Sequence, residues 1–193
     1  MARIVKALAL VLLVLVAAGV LAAFAYARYT GLSARATPGR LETAMARRLR
    51  ASAVPAAYRD RANPVPRTEE TVRRGLEHFA DHCATCHAND GSGETSIGRN
   101  LFPPAPDMRL AATQDLTDGE LFYIIEEGVR FTGMPAWSSG TPEGEVLGWQ
   151  LVHFIRRLPQ LTGEEIEQME GMNPQPPEQI RQQIEAERFL QGN

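Results

Sequence analysis

Lysine is almost absent from this chain of 193 residues: Lys6 is the only one, and every other fixed positive charge is an arginine. Cysteine is equally scarce, and two residues exclude a disulfide-dense scaffold or a four-cysteine zinc or iron–sulfur site. The sequence also lacks a convincing β-strand pattern and an internal repeat. Because 44% of the residues are hydrophobic and the net charge is only -3, a disordered or collagen-like chain is excluded as well.

The modest net charge hides a strong segregation of charge along the chain. Residues 28–66 hold eight arginines and two acids, whereas residues 67–193 hold ten arginines and 21 acids. A nucleic-acid-binding protein normally carries its positive charge on the folded part. We therefore expect no nucleic-acid partner.

An uncharged run of 21 residues, 7–27, lies close to the N-terminus. As a helix it would be about 31 Å long, which matches one bilayer core. It is longer than the apolar core of a signal peptide, about 7–15 residues, so residues 1–27 are predicted to be a retained membrane anchor. A cleaved signal peptide remains the alternative because Ala25-Tyr26-Ala27 is an acceptable cleavage site. A buried core helix is a weaker alternative.

Residues 28–66 are predicted to be a basic tether rich in proline, alanine and arginine. As a flexible coil of roughly 40 residues it would reach about 35 Å. Within it, Leu41, Met45 and Leu49 are spaced as on one side of a short helix over Leu41–Arg50, with arginines toward the other side. Such a helix either rests on anionic lipid headgroups or is an ordinary solvated linker helix.

Helix-start signals follow the tether at four places. A capping threonine precedes acidic residues or a proline at Thr68, Thr117, Thr141 and Thr162. The second of these helices is predicted to end at Gly128, and the third at Pro159. Residues 88–115 have little periodicity and predict loops, whereas residues 164–193 predict an acidic, polar, helical tail. The fold class is therefore all-α.

Both cysteines fall in one pentapeptide, Cys83-Ala84-Thr85-Cys86-His87, which has the spacing that attaches c-type haem. Two thiols one helical turn apart can form thioethers with the two vinyl groups of the porphyrin, and His87 then lies beneath the ring as an iron ligand. One covalently attached haem c is the predicted cofactor.

Three other interpretations of the motif are weaker. A thioredoxin-like disulfide would need a strand ahead of the motif, where a helix is predicted. A zinc site would need four ligands, one of them the distant His153. Two unrelated buried thiols are the third, and a preceding membrane segment disfavours them.

The second axial ligand of the iron must come from elsewhere in the sequence. Met134 is preferred because Gly133 permits close approach to a flat ring and Pro135 holds Met134 extended. Met108 is second, and the two histidines just ahead of the motif lie too near it to reach the opposite face. The full set of candidates is Met108, Met134, Met169, Met172, His78, His82 and His153.

In their order along the chain, these signals make residues about 67–163 resemble a class I, single-haem c-type cytochrome. The shared features are Gly75 and Phe79 ahead of the motif, the loop Gly128–Pro135, and a closing helix from Trp149 to Leu158. The resemblance implies a small cytochrome c fold around one covalently attached haem, preceded here by a transmembrane helix. It also implies that the closing helix crosses the first helix at Gly75, and that a prolyl carbonyl in 103–106 accepts the N–H of the proximal imidazole.

The resemblance implies an electron carrier and not an enzyme, with His87 and Met134 as the iron ligands. We expect a shuttle between membrane-associated respiratory complexes; the alternatives are a fixed haem c subunit of a quinol-oxidising, oxidase or reductase complex, and a five-coordinate protein that binds a small ligand. Residues 67–163 hold eight arginines and 14 acids, so redox partners are expected to present basic docking surfaces.

The expected location is the bacterial cytoplasmic membrane, as a single-pass protein with the haem domain on the periplasmic side. The arginines that follow the span would place the domain in the cytoplasm by the positive-inside rule. The resemblance overrides this count, because the family inserts its haem on the exported side of the membrane.

Overall fold

The computed structural model describes residues 1–31 and 33–190, and it divides the chain into two units, Met1–Ala36 and a second unit that begins at Thr37. The first unit consists mainly of helix α1 (Ala2–Thr30), which has no buried residue. An 18-residue window of α1 has a mean hydropathy of 2.9, and α1 alone among the described helices is long and apolar enough to cross a bilayer. It is compatible with a single-pass membrane anchor.

The second unit is helical in every described element, which confirms the predicted fold class. Its helices are α2 (Arg40–Ala53), α3 (Ala56–Arg59), α4 (Glu69–His78), α5 (Ala84–His87), α6 (Ala111–Gln114), α7 (Asp118–Glu127), α8 (Pro142–Arg157), α9 (Gly163–Glu170) and α10 (Pro177–Leu190). A π-helical turn over Phe79–Cys83 joins α4 to α5, and 3₁₀ turns occupy Gly98–Asn100 and Leu158–Gln160.

The four predicted helix starts are confirmed by their cap geometry. Each capping hydroxyl accepts a hydrogen bond from the backbone N–H three residues later, at 3.1–3.2 Å, in Thr68, Thr117, Thr141 and Thr162. Such a cap satisfies a donor that the first helical turn leaves unpaired. Gly128 ends α7 with a φ of 66°, a conformation that glycine adopts at little cost.

The core forms where α4 crosses α8, as the resemblance implied. A Cβ atom added at Gly75 would lie 2.9 Å from the Cβ of Phe154, so only glycine permits this close approach. Next to the crossing, the rings of Phe79 and Phe154 pack with centroids 5.0 Å apart. Residues 148–155 of α8 are all buried, so this helix forms the centre of the unit.

The end of the predicted tether packs on this core, and we call residues 54–66 the strap. Val54 is buried, and the guanidinium of Arg61 lies 5.3 Å from the ring centroid of Phe122 and 5.2 Å from that of Trp149. Arg61 also pairs with the carboxylate of Glu145. The expected flexible linker is therefore replaced over these residues by a segment held through cation–π and ionic contacts.

Polar groups of α8 hold the remainder of the strap. The side-chain amide of Asn63 donates to the carbonyl of Trp149 at 3.0 Å, and Nε2 of His153 donates to the carbonyl of Val65 at 2.7 Å. Because a carbonyl only accepts, Nε2 of His153 carries a proton. His153 is thus committed to the strap, and neither a zinc site nor an iron ligand is formed from it.

The beginning of the predicted acidic tail also joins the core. Helix α9 presents acids to solvent, yet Met169 on the same helix is fully buried among core residues. In α10 the side chains of Ile180 and Ile184 stay exposed. The tail therefore has a docked first half and an exposed second half.

Candidate haem-binding site

The two cysteines lie on a helical turn that changes its hydrogen-bonding pattern. The N–H of Ala84 donates to the carbonyl of Phe79, five residues earlier, so α4 passes through a π-helical turn before α5 begins. Phe79 and Ala84 face the core and are buried. The turn thereby brings Cys83 and Cys86, both half-buried, to the boundary of the core.

Cys83 and Cys86 lie on a helical turn that follows a helix and not a strand, and no disulfide joins them. Burial, and next the proximity of Cys86, raise the pKa of Cys83 to about 12. A raised pKa disfavours the thiolate form in which cysteine binds zinc. Moreover, the described residues contain no group of three His, Cys, Asp or Glu side chains placed to bind a metal ion.

His87 ends this turn with a neutral imidazole. Burial lowers its pKa, and the backbone of Pro106 acts in the opposite direction with a smaller effect. Its Nδ1 atom is buried and makes no hydrogen bond, so Pro106 lies near the ring without reaching full hydrogen-bond geometry. The residue of the 103–106 segment that acts on the imidazole is therefore Pro106, and a neutral imidazole is the form that binds iron.

Residues 88–110, which we call the proximal loop, fold back on the motif. The N–H of Gly93 donates to the carbonyl of His87 at 2.8 Å, and the hydroxyl of Thr95 donates to the carbonyl of Cys86 at 3.2 Å. These bonds occupy carbonyl groups that the short helix α5 leaves unpaired. They fix the end of the motif against the loop that carries Pro106.

Arg109 joins the two ends of the proximal loop. Its guanidinium donates to a carboxylate oxygen of Asp90 at 2.8 Å and to both carboxylate oxygens of Asp107 at 2.8–2.9 Å. Hydrogen bonds from Arg109 hold the pKa of Asp107 below its usual range. The loop that places Pro106 beside His87 is thus closed by a charged network.

Residues 128–138, the distal loop, carry Met134. Its N–H donates to the hydroxyl of Thr132 at 3.1 Å, and its carbonyl accepts from the N–H of Val129 at 3.1 Å. The same hydroxyl donates to the carbonyl of Val129 at 2.7 Å. Both backbone groups of Met134 are consequently held, and its side chain is half-buried.

Thr132 is the functional residue that sequence reasoning missed. It lies directly before Gly133 and Met134 in the loop Gly128–Pro135, but the pattern of Gly133, Met134 and Pro135 assigns its hydroxyl no role. A threonine two residues before a methionine in a short loop is the available signal, because Ser and Thr hydroxyls often bond the backbone two residues on.

Five of the other candidates for the second axial position make contacts elsewhere, His153 with the strap, and the sixth, Met172, is exposed. Met169 and Met108 are buried in the hydrophobic core. The rings of His78 and His82 contact each other, with centroids 4.8 Å apart. Met134 therefore stays the preferred ligand, as a prediction.

The residues present fit a haem. Nδ1 of His87 is buried near Pro106, so the other ring nitrogen is the one available to iron, and the two thiols and the hydrogen-bonded Met134 loop complete the set of contacts. Apolar side chains on the two loops are exposed, namely Ile97, Phe102, Phe131 and Trp137. Exposed apolar side chains of this kind can line a pocket for a planar, largely apolar group.

This combination of attachment turn, neutral imidazole and glycine-mediated helix crossing defines a monohaem c-type cytochrome. Residues 70–155 match the family model described as cytochrome c oxidase, cbb3-type, subunit III. The matched segment contains Cys83, Cys86, His87 and Met134. The chain thus carries a cytochrome c domain, which supports a haem c electron-transfer protein.

Proposed function

We propose that the chain is a membrane-anchored haem c subunit of a respiratory oxidase complex, to which it passes electrons one at a time. One haem is attached covalently through Cys83 and Cys86, and His87 and Met134 bind its iron. When bound, the haem supplies the one-electron redox chemistry. The protein supplies the ligands, an apolar pocket and a path for electrons at the exposed edge.

The chain's own residues determine how this haem behaves. The neutral imidazole of His87 is available to iron without first losing a proton, and the thioether of Met134 is a soft ligand that favours the ferrous state. Both loops are fixed by hydrogen bonds, so the ligands need to move little when the charge of the iron changes. If His87 and Met134 both bind the iron, no position would be open for a small ligand, whereas the five-coordinate alternative requires one.

The strap is the observation that favours a fixed subunit over a shuttle. Residues 54–66 pack on the haem domain, so they do not belong to a flexible linker. Helix α2 begins at Arg40, so nine residues separate α2 from the end of α1 at Thr30. Even when fully extended, nine residues span only about 30 Å. A haem domain on so short a link can exchange electrons only with a partner that lies next to it in the membrane. The matched family is described as an oxidase subunit.

We further propose that the haem domain faces the periplasm and meets a basic surface on its redox partner. Acids outnumber arginines by 14 to eight over residues 67–163, which supports complementary docking. The association rate with a soluble redox partner is expected to fall as ionic strength rises, since salt screens this attraction. A rate that stays flat or rises with salt would contradict the docking proposal.

The decisive experiment is purification of the tagged full-length protein from membranes in mild detergent, followed through its haem absorbance. A fixed subunit is expected to elute with large membrane subunits that hold further haem or copper, in constant proportion and after a wash at high salt. A shuttle is expected to elute alone while still carrying electrons between separated complexes. Elution alone, with full electron-carrying activity, would overturn the proposal in favour of the shuttle.

A further inference from the structure

Helix α2 presents an uncovered apolar stripe. Leu41, Met45 and Leu49 are 74%, 56% and 66% exposed, although each is a large hydrophobic side chain. Residues spaced by four lie about 40° apart around a helix, so the three occupy an arc of roughly 80°. No part of the described chain covers this stripe, which we call the α2 stripe.

The charges of α2 indicate which kind of surface the α2 stripe contacts. The helix has four arginines, Arg40, Arg47, Arg48 and Arg50, and one acid, Glu42. The carboxylate of Glu42 accepts a hydrogen bond from the N–H of Gly39 at 3.2 Å, so it is used in starting the helix. Arg48 lies about 60° around the helix from Met45. An arginine beside an apolar stripe can extend to a phosphate while its stem stays with the apolar residues.

The other end of α2 is fastened to the haem domain. The guanidinium of Arg59 donates to the carbonyl of Ala51 at 2.7 Å and lies 3.6 Å from the carboxylate of Glu120 on α7. Arg50 is half-buried at the same place, where burial lowers its pKa and Glu120 opposes that effect. These contacts join the C-terminal end of α2 to the strap, which continues along α8.

The link to α1 restricts where α2 can lie. The nine residues between Thr30 and Arg40 keep the start of α2 within about 30 Å of the end of the membrane helix. A lipid surface is therefore within reach wherever α1 crosses a bilayer. Apolar residues on one side with arginines beside them are the composition that binds an anionic lipid surface.

We propose that α2 lies in the headgroup layer of an anionic bilayer, with Leu41, Met45 and Leu49 in the acyl boundary and Arg48 at the phosphates. Through Arg59 and the strap, this contact holds the haem domain against the membrane in one orientation. The inference depends on α1 crossing the membrane and is independent of which complex receives the electrons.

The test uses full-length holoprotein in lipid nanodiscs, with a nitroxide spin label at Met45→Cys. A matched control carries the label at Ala44→Cys, one position earlier and about 100° around the helix. The native cysteines are occupied by haem, so the introduced cysteine is the thiol that reacts. Accessibility of the ferrous protein to oxygen, which partitions into lipid, is compared with accessibility to a water-soluble nickel complex.

In discs of equal parts phosphatidylglycerol and phosphatidylcholine, the oxygen-to-nickel ratio at Met45→Cys is expected to be several-fold higher than at Ala44→Cys. It is also expected to be several-fold higher than in discs of phosphatidylcholine alone. Adding Arg48→Gln should bring the Met45 label close to its value in phosphatidylcholine.

Three results would overturn the proposal. The Met45 label could be as open to nickel as the Ala44 label in both lipids, or its ratio could be the same in both lipids. The label could also lose nickel access only when partner subunits are added, which would make the α2 stripe a protein interface.

Discussion

The proximal and distal loops hold the two predicted iron ligands by different means. On the proximal side, His87 belongs to the same turn as both thiols, and a charged network of Arg109 with Asp90 and Asp107 closes the loop behind it. On the distal side, Met134 depends on neutral backbone bonds and on the hydroxyl of Thr132. Several side chains and backbone groups hold the proximal ligand, whereas on the distal side the hydroxyl of Thr132 makes two of the four hydrogen bonds among Val129, Thr132 and Met134.

This difference indicates how each side responds to change. The proximal ligand is expected to stay in place as long as the haem stays attached, because the same short helix holds both. The distal ligand comes from a separate loop, so it can be displaced without losing the haem. A change on one side is therefore expected to leave the ligand on the other side in place.

The largest effect is expected from Cys83→Ser combined with Cys86→Ser. Without thioethers, only the axial ligands and apolar contacts retain the haem, so acid acetone should extract all of it, whereas it should extract none from the wild type. Thr85→Ala, an exposed residue between the two cysteines, is the control and should keep covalent haem. Covalent haem in the double variant would mean that the attachment site lies elsewhere.

A smaller effect is expected from Thr132→Val, which removes the hydroxyl while keeping the shape of the side chain. Loss of its bonds to Met134 and Val129 should cost about 1–2 kcal/mol, so imidazole should displace the sulfur with roughly tenfold higher affinity. Thr132→Ser keeps the hydroxyl and should bind imidazole as the wild type does. The measurement is a spectroscopic titration of the ferric protein, and equal behaviour of the two variants would show that the hydroxyl does not position Met134.

On the proximal side, Arg109→Gln should have a modest effect because its ion pairs are partly exposed. The free energy of unfolding should fall by about 1 kcal/mol or less, with no change in imidazole affinity. Arg99→Gln breaks a more exposed pair with Glu94 in the same loop, and it should change neither quantity. Chemical denaturation of the ferric proteins tests this, and a loss of several kcal/mol would show that the network controls the whole fold.

The smallest effect is expected from pH. Since Arg109 lowers the pKa of Asp107 in the folded state, this pair contributes stability above the ordinary aspartate pKa and loses it as the pH falls through the lowered value. In Asp107→Asn that part of the acid dependence should be absent. Unfolding midpoints measured from neutral to acid pH compare the two proteins, and parallel curves would contradict the assignment.

Features encoded within a few residues could be predicted from the sequence. The caps at Thr68, Thr117, Thr141 and Thr162 depend on side chains no more than three residues from the backbone groups they bond. The attachment turn is equally local. Gly75 was expected at the helix crossing because of a family resemblance, since no local pattern indicates which helix it meets.

Contacts between distant residues could not be predicted in this way. Asn63 and Val65 bond groups on α8 that are more than 80 residues away, and neither belongs to a periodic pattern. Met169 lies in a helix whose acids suggest a solvated tail, yet it fills the core. In each case, one side chain in a polar segment makes the contact, and only the folded chain shows its partner.

The central claim is that the sulfur of Met134 binds the iron opposite His87, and the far-red absorption band of ferric iron bound to methionine tests it most directly. The band should be present in the wild type and in Met108→Ala, and absent in Met134→Ala, where covalent haem persists and the ferrous protein binds carbon monoxide. The reduction potential of Met134→Ala should also fall, because the ferrous state loses its soft ligand. Loss of the band in Met108→Ala with its retention in Met134→Ala would contradict the account and leave the distal loop as a connection between α7 and α8.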